Sequence, residues 1–135
     1  MSLKAIPLIV IAFVLYNLLV LAGGGRAALD TEIFHMTLLS KGVWSFKWGD
    51  LLMLITLILL FIEIVKSTHT NTSTLIDHGL SMLVFIACGI EFLVVPDAAH
   101  SIFFLIMAAT LIDVVAGYTI GISVARRNLN LGTDQ

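Results

Sequence analysis

The sequence predicts an all-α integral membrane protein, a four-transmembrane-helix antiparallel bundle with an interfacial segment between helices one and two. Three observations predict it. Hydrophobic residues make up 59% of the 135 residues and charged residues 12%, about half the roughly 25% usual in soluble domains. Mean hydropathy is +1.08, and a chain of this length could not enclose so much apolar surface in water. The apolar residues fall into four stretches, and none of the seven Lys and Arg residues lies deep in one of them.

The first stretch runs from Ala5 to Ala22, the second from Leu51 to Val65, the third from Leu75 to Val95 and the fourth from Ser101 to Ala125. A hydrocarbon core of about 30 Å needs about 20 helical residues, with a range of roughly 17 to 25. Only the second is short without its flanks. Backbone groups in lipid must bond within their own segment, so the stretches are helices. The predicted helices are therefore about 5–22, 50–66, 75–95 and 98–125 in a single domain, 1–135, with 23–49 as a loop. The first stretch exceeds the roughly 7–15 apolar residues of a secretory leader, so it is read as a retained helix.

The connections differ in kind. Thr68–Thr74 is short and polar, and Thr74 with Asp77 fits a capping box for helix three. Pro96-Asp97 makes a tight turn in which Asp97 is the expected N-cap of helix four. The long first connection opens on Gly23-Gly24-Gly25, a flexible exit, and Asp30–Ser40, with acids in its first turn, is read as a short helix. Ile33, Phe34, Met36, Leu38 and Leu39 make that segment too apolar to float, so it is placed on the membrane surface or on the bundle. In "VWSFKWGD", Trp44, Phe46 and Trp48 alternate with Ser45 and Lys47. Trp44 and Trp48, just before a span, read as an interfacial anchor rather than a ligand cage.

Lys4, Lys66, Arg126 and Arg127 fall on one side of the spans and Arg26, Lys41 and Lys47 on the other. The Arg126-Arg127 pair abutting the last span places both termini in the cytoplasm and 23–49 outside it, which in a bacterium means the inner membrane.

The polar residues inside the spans are acids and their neighbours. Glu63 stands three residues before Lys66 and pairs with it as an interfacial ion pair, with His78 at the same depth. Asp77, Ser81, Val84, Cys88 and Glu91 recur along one stripe of helix three, which should face protein or water. Asn17 falls level with Glu91 and offers it an amide. Asp113 lies near the middle of helix four, where an aspartate costs about 2.5–3.5 kcal/mol on insertion scales. Ala109, Asp113, Gly117 and Gly121 recur every four residues, and Gly117 to Gly121 is a GxxxG that permits close helix approach. Ser81 comes level with Asp113. Asp113 has three open roles: a protonated acid serving as hydrogen-bond glue, a reversible proton or metal-cation site, or the partner of a basic group on another chain.

Several classes are excluded or unsupported. Net charge is −2, with no basic patch for nucleic acid, and the single cysteine excludes an intramolecular disulfide or a cysteine metal cluster. No phosphate loop, HExxH or nucleophile–base motif is present, and His35, His69, His78 and His100 are scattered and read as solvated. No enzyme, cofactor or metal is expected. The expected role is a small accessory or assembly subunit that packs through its helices against partner membrane proteins or copies of itself, within the lipid bilayer. The alternative is an oligomeric proton, cation or small-solute transporter or channel that uses Asp113 and Glu91.

Overall fold

In the computed structural model, residues 6–68 and 72–133 are described, apart from the side chains of residues 72–75, 77, 124, 125, 128, 131 and 133. Lys4 and His69 lie outside the described residues, and the expected Thr74–Asp77 capping box lies outside the described side chains. The chain is mostly helical. It forms α1 (Ile9–Ala22), a two-stranded hairpin of β1 (Glu32–Thr37) and β2 (Val43–Lys47), α2 (Trp48–Lys66), α3 (Thr72–Val94) and α4 (Ser101–Thr133). Two helical segments, Trp48–Lys66 and Ser101–Ser123, are long and apolar enough to cross a membrane. Ile9–Ala22 and His78–Val94 are shorter apolar helices.

α4 packs against all three other helices. Side-chain contacts fix their directions. Leu8, before α1, meets Glu63, late in α2, whereas Tyr16, past the middle of α1, meets His100, just before α4. His78, early in α3, lies against Gly117 and Gly121, far along α4. Consecutive helices are therefore antiparallel, as the short connections require. The main core gathers Ala12, Tyr16 and Val20 of α1 with Leu52, Cys88, Phe103 and Ile106, capped at one end by Leu29 and Ala98.

The segment read as a short surface helix is instead half of the hairpin. β1 and β2 pair antiparallel, with Phe34 opposite Phe46, His35 opposite Ser45 and Met36 opposite Trp44. The turn closes where Lys41 adopts φ 68° and the Leu38 N–H donates to the Gly42 carbonyl. A period of two in both segments, joined by a turn that ends in glycine, outweighs the acids that suggested a helix start.

Other boundaries shift for local reasons. The glycine exit from α1 is an ordered cap: Gly24 and Gly25 have φ of 85° and 117°, and Gly25 N–H reaches back to the Val20 carbonyl at 2.8 Å, the six-to-one bond of a Schellman motif. Asp97 does not cap α4. Pro96–Ala98 forms a 3-10 turn, and the His100 carbonyl accepts the first intrahelical bond, from Phe104 N–H at 3.0 Å. α2 starts at Trp48, with Asp50 reaching back to Lys47 N–H at 3.0 Å. α3 begins within the polar Thr72-Ser73-Thr74 stretch, and α4 continues past Ala125 to Thr133.

Candidate functional site

Two polar clusters stand at opposite ends of the bundle. The first lies where α1 begins and α2 ends. Glu63 is 2% exposed, so the carboxylate of the expected ion pair is buried. Its carboxylate accepts a bond from Lys66 Nζ at 3.2 Å and another from the Leu8 backbone N–H at 2.5 Å. Lys66 also donates to the Ile6 carbonyl at 3.1 Å. A helix start leaves N–H groups without intrahelical acceptors, and here a side chain from another helix supplies one. The negative charge at that position also complements the helix dipole.

Next to this pair, His78 is 5% exposed, which corrects its reading as a solvated residue. Its imidazole lies over Gly117 and Gly121. A Cβ added at Gly117 would stand 2.6 Å from His78 Cε1 and 2.7 Å from Nδ1, with Ser67 Oγ at 3.5 Å. At Gly121 the nearest ring atom, Nε2, would be 3.4 Å away. The GxxxG notch thus holds a side chain of the same chain. The Tyr118 ring flanks His78, with centroids 5.2 Å apart.

The His78–Gly117 contact sets the register of α3 on α4. Moving along both helices, Ser81 comes level with the turn that carries Asp113, as the sequence predicts. Both are buried, at 1% and 3% exposure. Of the helix-three stripe, Ser81 and Cys88 are buried, and Cys88 sits against Thr110. The Asp77 side chain is outside those described.

The second cluster lies at the hairpin end. Asn17 Nδ2 donates to Glu91 Oε2 at 3.2 Å, so the two residues read as level are joined. Asn17 also donates to the Phe13 carbonyl at 3.0 Å, and its orientation is thereby set by α1. One residue before it, Tyr16 is 1% exposed, and its hydroxyl lies 2.8 Å from the Asp97 carbonyl and 2.6 Å from His100 Nε2. The hydroxyl has one proton. When Tyr16 donates to Asp97, His100 Nε2 must carry a proton and donate to the tyrosine oxygen. Arg26 donates to the Ala99 carbonyl at 3.2 Å. Burial first, and then the Arg26 charge, hold the His100 imidazole below its ordinary titration range. Arg26, Leu29, Asp30, His100, Ser101 and Ile102 line an open pocket of about 210 Å³ beside it.

Sequence reasoning missed Tyr16, His100 and Arg26. Ile9, Ala12, Tyr16 and Val20 recur at spacings of three and four and share the buried face of α1, which was the available signal for Tyr16. Nothing local paired His100 with a residue so distant in sequence. Trp44 and Trp48 are both partly exposed, Trp44 on the hairpin and Trp48 opening α2. Among the described residues, no group of three or more His, Cys, Asp and Glu side chains could hold a metal ion.

These features define a mostly helical protein in which two helices are apolar enough for a membrane and charged groups are drawn inward. Compared with known protein families, curated proteins and solved structures, the chain matches none.

Proposed function

We propose that all four helices cross a lipid bilayer and that the protein is a small accessory or assembly subunit, packing by its outer faces against partner membrane proteins or copies of itself. Support for the membrane begins with α2 and α4. Only 28% and 39% of their apolar windows are buried, so Leu54, Leu57, Ile58, Phe61, Leu105, Leu111, Ile112 and Val115 face outward. A soluble core helix would hide them. α1 is short at 14 residues, yet it starts beside Glu63 near the end of α2, and the turn that follows it brings Leu29 over Gly49 at the other end. α3 accompanies α4 from Gly121 to Phe103. A helix that packs along a spanning helix, with its flanking segments reaching both ends of that helix, is read as crossing with it.

The observation that carries the accessory reading is where the polar groups are spent. Glu63, Lys66, Asn17, Glu91, Tyr16 and His100 bond to other parts of this chain, and His78 fills the GxxxG notch. The surface left for association is therefore apolar rather than the small-residue seam. Purification in mild detergent tests this reading: distinct co-purifying subunits or a defined homo-oligomer support it, and a monodisperse monomer removes it.

The buried layer of His78, Ser81 and Asp113 favours a second reading, a proton or cation path. Asp113→Asn would then abolish a measured flux in vesicles and leave the fold intact. The basic residues support cytoplasmic termini, because Lys66 lies at the end toward which Arg126 and Arg127 extend. Reporter fusions at Gln135 and within residues 31–40 test that orientation.

A further inference from the structure

The hairpin has two unlike faces. Cross-strand partners share a face, so Phe34, Phe46, Met36 and Trp44 lie together. Their rings form one cluster: Phe34 stacks on Phe46 at 5.1 Å, and Trp44 meets them edge-on at 5.9 and 5.6 Å. His35 and Ser45 occupy the other face. Strict alternation would put Glu32 with the aromatics. The irregularity between Glu32 and Phe34 instead pairs Glu32 with Lys47 and turns it to the polar side. There its carboxylate receives the Ser45 hydroxyl at 2.5 Å and lies 2.6 Å from His35 Nδ1. One inserted residue therefore keeps the aromatic face free of charge.

Phe34 and Trp44 are each 44% exposed and Met36 48%. A two-stranded hairpin with an uncovered apolar face is at best marginally stable in water. Chain continuity indicates what covers it. β2 ends at Lys47 and α2 begins at Trp48, with no linker, so the aromatic cluster is held within a few residues of the start of an apolar helix. Around the hairpin, Arg26, Lys41 and Lys47 stand against Asp30, Glu32 and Asp50. That balance gives no preference for anionic lipid, and the adhesion must come from apolar and aromatic burial.

We propose that the Phe34, Met36, Trp44 and Phe46 face is a membrane-surface blade that inserts into the headgroup zone of the bilayer and leaves the Glu32–His35–Ser45 face in water. This rests on the reading of α2 as a membrane span, and the test separates the two.

The full chain carrying Trp48→Phe, which leaves Trp44 as the only indole, is reconstituted into phosphatidylcholine vesicles, with and without phosphatidylglycerol. Trp44 should be quenched more by lipids labelled near the headgroup than by lipids labelled deep in the acyl chains, equally in both vesicle types. Phe34→Ser with Met36→Ser should raise its quenching by aqueous acrylamide severalfold, while alkaline extraction still leaves the protein in the membrane. Strong acrylamide quenching of Trp44 in a parent chain that resists extraction overturns the blade alone. A chain released by alkaline extraction overturns the membrane-span reading as well. An indole shielded from both kinds of quencher means that protein covers the face, and lipid quenching that requires phosphatidylglycerol means that charge holds it; either result overturns the proposal.

Discussion

The carboxylate of Glu63, one turn before the end of α2, accepts the backbone N–H of Leu8 at 2.5 Å and closes the start of α1 from a different helix. Lys66 completes the clasp through the Ile6 carbonyl. The bond ties two antiparallel helices at the end where no short loop joins them.

Glu63→Ala should therefore loosen α1 rather than α2. Hydrogen bonds to charged groups contribute about 1.5–3 kcal/mol, and a loss of that size corresponds to roughly 10- to 100-fold faster amide exchange at Leu8. Glu63→Gln keeps an acceptor oxygen and should lie much closer to the parent. Hydrogen exchange resolved at the start of α1 checks this, and unchanged protection in the Ala variant would remove the clasp.

At the other end, Asn17 and Glu91 should behave as a coupled pair. Glu91→Gln preserves an acceptor for the Asn17 amide and is expected to be nearly neutral. Glu91→Leu and Asn17→Leu should each weaken packing, with a coupling energy between about 0.6 and 2 kcal/mol, the range of interhelical hydrogen bonds in membranes. A double-mutant cycle on unfolding in detergent measures it. Strict additivity would mean that the 3.2 Å contact contributes nothing.

How far these features were legible in the sequence depends on the distance over which their causes act. The four long helices follow from the lengths of the apolar stretches, and the inward placement of Ser81 and Cys88 follows from local periodicity. The Asn17–Glu91 and Ser81–Asp113 levels follow from counting residues away from turns. The hairpin is half visible: Trp44, Phe46 and Trp48 alternate, but Asp30–Ser40 reads as a short helix because acids near a segment's start suit a helix dipole as well as a strand face. The His78 notch was out of reach. GxxxG specifies a groove and does not specify what fills it, and the occupant sits on another helix. Tyr16 and His100 were lost for the same reason, their contact spanning most of the chain.

The pH response at the hairpin end has a defined sign. His100 titrates below its ordinary range because of burial and the Arg26 charge. Its folded value thus lies under its unfolded value, so its contribution to stability is complete above the unfolded value and is lost as pH falls through the folded one. Arg26→Gln removes one of the two leading causes and should move the His100 midpoint upward. A ring-resonance titration reads this directly, and a midpoint that stays or falls would show that Arg26 does not act on the imidazole.

Glu32 has the same direction on the exposed face of the hairpin. The Ser45 hydroxyl first, and then His35, hold its carboxyl below the usual range. The network is complete above the ordinary carboxylate range and is lost as pH falls through the lowered value. Ser45→Ala should move the Glu32 midpoint upward, measured from its side-chain carbonyl resonance. No change would mean that the short Ser45 contact is not kept in solution.

Gly117 gives the sharpest test of packing, because two effects on one methyl group oppose each other. In an open helix position, Gly→Ala stabilises by about 1 kcal/mol through helix propensity. At Gly117 the added Cβ would meet two atoms of the His78 ring well inside contact distance. The ring is rigid and buried, so it can yield only by leaving the notch. Overpacking of this kind costs typically 1–3 kcal/mol, and Gly117→Ala should be destabilising on balance. With His78→Ala as the background the obstacle is gone, and the same Gly117→Ala change should become stabilising. Gly121→Ala, where the nearest ring atom would be 3.4 Å away, should be near neutral with His78 in place and stabilising in the His78→Ala background. Unfolding in detergent across the four combinations of Gly117 and His78 measures the reversal of sign. If Gly117→Ala has the same sign with and without His78, the imidazole does not occupy the notch, and α4 is free to offer its small-residue seam to another helix.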